Sequence, residues 1–236
     1  MERRTILKVA ATMPALAVGD LALGMNKQAL PTLTVPRDGT INVAVLLSDG
    51  ATIIDFCGPW EVFQDVAVGG THTSPNHRMP FRLYTVGERQ EAIRASGGMR
   101  IVPEYTLASA PKPQVVVIPA QGGRSEAMRN WILETHETAD VTLSVCTGAF
   151  LLASSGLLKG KAATTHHDFY ERFASEYPDV ELKRGLRFVE HGKLMTAGGL
   201  SSGIDAALRI VERYFGRETA QHTATYMEYQ GRGWVS

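Results

Sequence analysis

A chain of 236 residues is sized for one ordinary domain plus a small appendage. Hydrophobic residues make up 44% and charged residues 20%, the balance of a globular α/β protein with ample core. Lys plus Arg equals Asp plus Glu at 24 each, which excludes a strongly basic surface for nucleic acid or another polyanion. The cysteines are Cys57 and Cys146 alone, too few for a disulfide framework or a cysteine-based metal centre. His166 and His167 are adjacent and their side chains are expected to diverge, so no metal site is assigned.

The first segment reads as a leader. Arg3-Arg4 and Lys8 precede a moderately apolar run, Val9–Gly24, that ends in small residues. This is the layout of an export signal, and the paired arginines resemble the twin-arginine type. The run is too short, and too broken by Pro14, Gly19 and Asp20, for a stable membrane span. The division expected is a signal over 1–24, a Pro-containing linker over 25–40 and a single domain over 41–236. The destination is then the periplasm or beyond; a frayed helix on a cytoplasmic protein is the alternative.

Ile41–Leu47 is a continuous apolar run and predicts a central strand. Pro59 suits the first turn of a helix reaching about Val66, which puts Asp55 just before it among Ile53, Ile54 and Phe56. A carboxylate in such company needs a partner or a raised pKa, unless it is a simple cap. Gly69–Pro80 reads as a loop, Phe81–Val86 as a strand, and Ile93–Val102 as two short strands or a hairpin. Val115–Ile118 is a buried strand followed by Pro119-Ala120-Gln121-Gly122-Gly123. A Gly-rich turn at that place can aim N–H groups at an oxyanion, or be a plain tight turn.

The organising stretch is Val141–Leu158. Val141–Val145 is a short apolar, β-branched run that predicts a buried strand, Cys146 follows it directly, and a helix-forming run begins after Thr147-Gly148. A sharp strand-to-helix turn lifts a nucleophile clear of a sheet, and the N-terminus of the following helix favours thiolate over thiol. A small buried cysteine packed as a hydrophobe is the plain alternative. Downstream, Lys161–Thr165 predicts a short strand ending at His166, Asp168–Glu176 a helix, and Leu186–Glu190 with Lys193–Ala197 a hairpin. Gly198–Gly203 leads into an amphipathic helix over Ile204–Phe215 that Gly216 ends, and a last helix covers Glu218–Tyr229. Repeated β–α units of this kind argue a mostly parallel sheet sandwiched between helices, flavodoxin-like, with Cys146, Asp55, Ala120–Gly123 and His166 all following strands and able to meet in one crevice.

Ile54-Asp55-Phe56-Cys57-Gly58-Pro59, Ser144-Val145-Cys146-Thr147-Gly148, Ala163-Thr164-Thr165-His166 and Gly198-Gly199-Leu200-Ser201-Ser202-Gly203-Ile204-Asp205 occur in an order that resembles the ThiJ/PfpI superfamily, of class I glutamine amidotransferase-like fold. The resemblance runs from Ile41 to about Tyr229 and is strongest to its isocyanide hydratases and to the sensor domains of AraC-type regulators. It implies cysteine-dependent hydration of a small electrophile to an N-substituted formamide, with no metal or organic cofactor. Cys146 is then the nucleophile, Asp55 the acid/base and Thr147 an intermediate-stabilising group. Ala120, Gln121 and Gly122 form the oxyanion and substrate pocket with His166, and the protein is a homodimer acting on a small molecule, with no nucleic-acid partner. Thr147 stands where the family's proteases have histidine, which argues against peptidase activity; Cys57 stands where the hydratases have threonine; and PAQGG replaces the usual Pro-Gly-Gly turn. Other cysteine chemistry on glyoxals or amides, or a non-catalytic ligand or redox sensor, are the competing implications. The two cysteines invite a Cys57–Cys146 disulfide, but residues two apart on a turn point different ways, and an unpaired, buried Cys57 is the expectation. For the leader, the expected outcome of Arg3-Arg4→Lys-Lys is blocked export; fractionation that finds the full-length parent retained in the cytoplasm would refute the signal.

Overall fold

The computed structural model describes residues 32–235; the expected leader and the first part of the linker lie outside the described residues. Strand β1 (Ile41–Leu46) leads to helix α1 (Ile53–Gln64), and β2 (Phe81–Gly87) follows a loop. The antiparallel pair β3 (Ile93–Arg94) and β4 (Arg100–Ile101) precedes the short edge strand β5 (Tyr105–Thr106). Then come β6 (Val115–Ile118), α2 (Glu126–Thr138), β7 (Val141–Val145) and α3 (Gly148–Ser154). After β8 (Ala162–Ala163), α4 (Tyr170–Glu176) and β9 (Glu181–Leu182), the hairpin β10 (Phe188–His191) and β11 (Leu194–Ala197) leads to α5 (Ser202–Tyr226).

Seven strands form one sheet in the order β10-β11-β7-β6-β1-β2-β5. Every neighbouring pair is parallel except β10 with β11. The period-2 alternation of the strands divides the apolar residues between two cores. Val43, Val45, Val117 and Leu143 face α1 and α5, while Ala44, Leu46, Val116 and Ile118 face α2, α3 and α4. Buried on both faces, these strands are the near-continuous apolar runs the sequence displays.

Most predicted elements stand, and four differ. Helix α1 starts at Ile53, so Asp55 lies inside its first turn and Pro59 lies in mid-helix. Pro59 forfeits one bond to the Asp55 carbonyl, a cost the buried side chains of Phe56, Val62 and Phe63 offset. The strand expected over Lys161–Thr165 shortens to β8, which pairs with β9 in a separate two-stranded sheet. Helix α5 runs through Gly216, but with φ 85 and ψ 168 that glycine breaks the helical path where a stop is expected. The linker is not free of the domain: Leu33 and Val35 pack on the α1/α5 core, and the Leu33 N–H donates to the Arg213 carbonyl at 2.8 Å.

The tightest constraint lies where β7 becomes α3. A Cβ on Gly148 would press into the carbonyl oxygens of Ile118 and Pro119, both backbone atoms of the neighbouring strand end. Gly148→Ala therefore has to push β6 and α3 apart. The expected cost is about 3 kcal/mol or more, seen as a drop of roughly 6 °C or more in Tm; an unchanged melting curve would show that the junction has slack.

Candidate functional site

Cys146 ends β7 with φ 58, a left-handed conformation that a non-glycine residue adopts only when its surroundings impose it. Three bonds do so. Its N–H donates to the carbonyls of Ala197 (3.2 Å) and Gly198 (2.8 Å) at the end of β11, and its own carbonyl accepts from Thr165 Oγ1 at 2.9 Å. The turn throws the thiol above the C-terminal edge of the sheet, where the backbone N–H groups of Thr147 and Leu200 point at the sulfur. Leu200 also carries a positive φ, 50. Its glycine-rich neighbours let the loop lie flat: Gly199 packs so closely on the His166 ring that no Cβ fits between them.

Asp55 approaches from α1. It is fully buried, and its Oδ2 accepts from the Ala120 N–H at 3.1 Å. Oδ1 makes no regular hydrogen bond, yet the Cys146 thiol lies near enough for each group to alter the other's acidity. Burial pushes the Asp55 carboxyl up to about 7, against the pull of the Ala120 N–H and the thiol. Burial, and then the Asp55 charge, push Cys146 up to about 11, against the Thr147 and Leu200 N–H groups. The thiolate expected at neutral pH from the helix terminus is therefore not the resting state. The helix and loop N–H groups are outweighed by desolvation and a neighbouring carboxylate. The pair behaves as one unit that binds a last proton tightly and gives up the first near neutrality.

The Ala120–Gly123 turn has a different task from the one expected. Ala120 gives its N–H to Asp55, Gly122 donates to the Asp49 carbonyl at 2.9 Å, and Gly123 donates to Ser48 Oγ at 3.0 Å. The Gln121 amide accepts from Ser48 Oγ and donates to the Leu46 carbonyl, so it faces the fold rather than a substrate. These N–H groups are spent inside the protein because the turn clamps α1 and β1 together. The donors that do face the sulfur come from Thr147 and Leu200. Leu200 carries the same signal as the expected turn, a Gly-rich segment straight after a buried strand, here β11.

His166 lies near the site without joining it. Its ring stacks on His167 at 4.4 Å between centroids, and Nδ1 accepts from the Asp168 N–H. No hydrogen bond to Cys146 is present among the described residues. The His166 and His167 side chains do not diverge as expected: the rings stack 24° from parallel, and with Asp168 they bring three ligand atoms within 4.8 Å of one another. Cys57 is a free, half-buried thiol, and Cys146 is also free. Of the residues singled out in the sequence, the fold thus unites Cys146, Asp55 and Thr147, leaves Gln121 and Gly122 as supports, and places His166 on the wall of the neighbouring cavity.

A buried acid and a thiol sharing a proton, beside two N–H donors, suit addition of the sulfur to a small electrophile with proton return. The chain is similar to known proteins in sequence and in fold. Isonitrile hydratase of Pseudomonas putida is 27% identical over 194 residues, covering 80% of this chain and 78% of that protein. The transcriptional regulator CdhR of Pseudomonas aeruginosa, of helix-turn-helix type, is 24% identical over 148 residues, 61% of this chain but 44% of the regulator. The crystal structure of a ThiJ/PfpI family protein from Pseudomonas syringae superposes with a TM-score of 0.70 at 22% identity, over 93% of this chain and 83% of that one, which shows the shared fold. The model of the DJ-1/PfpI family matches residues 41–213, from β1 to the last turns before the Gly216 break, and the chain belongs to that family.

Proposed function

We propose that the protein hydrates a small electrophile through Cys146, with an isocyanide as the substrate and an N-substituted formamide as the product. The observation that carries the reading is the buried Asp55 carboxyl set against the Cys146 thiol on its positive-φ turn. The similarity to an isonitrile hydratase over most of both chains supports it.

In this reading the Asp55 carboxylate accepts the thiol proton as Sγ bonds to the terminal carbon of the isocyanide. The same proton then passes to that carbon, giving a thioimidate in which carbon and nitrogen share a double bond. Water adds to the thioimidate carbon, a proton reaches nitrogen, the C–S bond breaks, and the formamide leaves with Cys146 restored. The sum is isocyanide plus water to formamide, with nothing oxidised or reduced. Asp55 acts first as base and then as acid, which a carboxyl near 7 does well in both directions. The N–H groups of Thr147 and Leu200 hold the sulfur as charge builds on it and leaves it. Export by the leader and assembly as a homodimer belong to the same proposal.

A second reading has one observation in its favour. A thiol pushed up to about 11 is a poor resting nucleophile, as suits a protein that binds a ligand without converting it. Turnover of isocyanides separates the two. The parent is expected to release formamide, Cys146→Ala to release none, and Asp55→Asn to retain about 1% or less of parent activity. A parent that binds isocyanides without forming formamide would sink the hydratase reading. Because Asp55 must be ionised to accept the proton, kcat/KM is expected to rise with pH through about 7; a flat profile between pH 5 and pH 9 would assign the proton transfer elsewhere.

The same pair sets a stability test. The Asp55 pKa is raised on folding, from 3.8 to about 7, so the folded state holds that proton the tighter. The associated stability is complete below the unfolded value and is lost as pH rises through about 7, at most about 4 kcal/mol. Asp55→Asn keeps an oxygen for the Ala120 N–H and carries no charge. Its Tm relative to the parent is expected to improve by several degrees between pH 4.5 and pH 8. Its Cys146 is expected to alkylate faster than the parent's at pH 8, since the Asp55 charge no longer opposes ionisation. Equal alkylation rates would mean that the two groups do not share a proton.

A further inference from the structure

Beside the elbow lies a cavity of about 340 Å³ between the Gly198–Ser202 loop, the segment before β10 and the turn that opens at His166. It adjoins the residues that hold Cys146: Thr165, Gly198 and Leu200 line it, the first two bonded to the Cys146 backbone and the Leu200 N–H directed at its sulfur. On the opposite wall is Arg187, a cation that the proposed hydration does not use. Its side chain is 41% exposed, its Nε donates to Asp205 Oδ2 at 2.6 Å, and one Nη2 hydrogen goes to Ser201 Oγ at 3.2 Å.

The ion pair points in two directions. Asp205 is 1% exposed and faces the interior, where Tyr229 lies against it. The guanidinium fork has five donors, so beyond Asp205, Ser201 and the Tyr229 hydroxyl that also meets it, it still offers hydrogens along its exposed edge. No aspartate or glutamate lines the cavity, and the serine hydroxyl sits beside the fork. The apolar part of the wall comes from Leu186 and Leu200, which are 49% and 45% exposed and rank among the large hydrophobic side chains left open to solvent. An oriented cation with a hydroxyl, two exposed leucines and a nearby thiol together form a surface with a defined polarity.

We infer that this cavity is a carboxylate subsite: Arg187 and Ser201 take the anionic end of a small organic acid whose apolar body lies on Leu186 and Leu200 and whose other end reaches Cys146. Arginine recognises a carboxylate through paired N–H donors, which a neutral ester cannot match. The inference deepens the hydratase reading by naming isocyano acids as its substrate class, and it rests on that reading only for the identity of the reacting end.

The test is binding, measured by titration calorimetry with N-formylglycine and with its methyl ester. N-formylglycine is the formamide that hydration of isocyanoacetate gives. The acid is expected to bind the parent at least about tenfold tighter than the ester. Ser201→Ala, which keeps the ion pair, is expected to narrow that ratio severalfold. Arg187→Gln is expected to abolish it; because that change leaves Asp205 buried without a counter-charge, the double variant Arg187→Gln/Asp205→Asn provides a neutral interior with the same loss of preference. Equal affinity for acid and ester in the parent, no measurable binding of the acid, or a preference that survives in the folded double variant would each overturn the subsite. Acid preference without any formamide production from isocyanoacetate would remove the hydratase reading and leave the subsite standing. Hydration of neutral isocyanides with no acid preference would do the opposite.

Discussion

A carboxyl group without solvent governs this molecule. Asp55 is fully buried between α1 and the end of β6, and water offers it nothing. What it has is the Ala120 N–H on Oδ2 and the Cys146 thiol close by. Removing a carboxylate from water costs more than any single hydrogen bond returns, so the group holds its proton to an unusually high pH. The thiol next to it is held in the protonated form by the same burial and by the charge that Asp55 acquires. Neither residue has an acidity of its own; each is set by how closely α1 is pressed on the end of β7.

That closeness is built by backbone, not by the two side chains. Cys146 keeps its left-handed turn because β11 takes its N–H and Thr165 takes its carbonyl. Gly148 lets α3 start against the carbonyls that end β6. The Pro119–Gly123 turn spends its N–H groups on Asp55, Asp49 and Ser48, fastening α1 to the sheet from the other side. The strain at one residue is thus repaid over four strand ends, which is the usual arrangement where a scaffold holds a reactive group still.

The parallel sheet was legible from its apolar runs, because strands buried on both faces cannot hide their composition. The elbow was legible too, since a cysteine between a β-branched strand and a Gly-led helix has few other placements. Local residues do not encode what a neighbouring element will spend. Gln121 and Gly122 carry the pattern of an oxyanion turn, yet Ser48, Asp49 and Leu46, some 70 positions earlier, claim their hydrogen bonds. The sign of the Cys146 shift escaped for the same reason. A helix terminus is visible in sequence, whereas burial and the approach of Asp55 are products of packing. Pro59 carries the pattern of a helix opener, yet the structure starts α1 at Ile53 and tolerates the proline in mid-helix, which brings Asp55 into the first turn.

The break at Gly216 has a consequence at the other end of the chain. With ψ at 168 the backbone carries the next N–H out of the helical ladder, so the Arg213 carbonyl loses its customary acceptor role within α5. Leu33 supplies the replacement at 2.8 Å, and with Val35 it packs on the α1/α5 core. The segment that carries Leu33 and Val35 therefore belongs, in energetic terms, to the domain, which does not start at the first strand. A protease that trims the chain back to β1 would remove a structural piece rather than a tail.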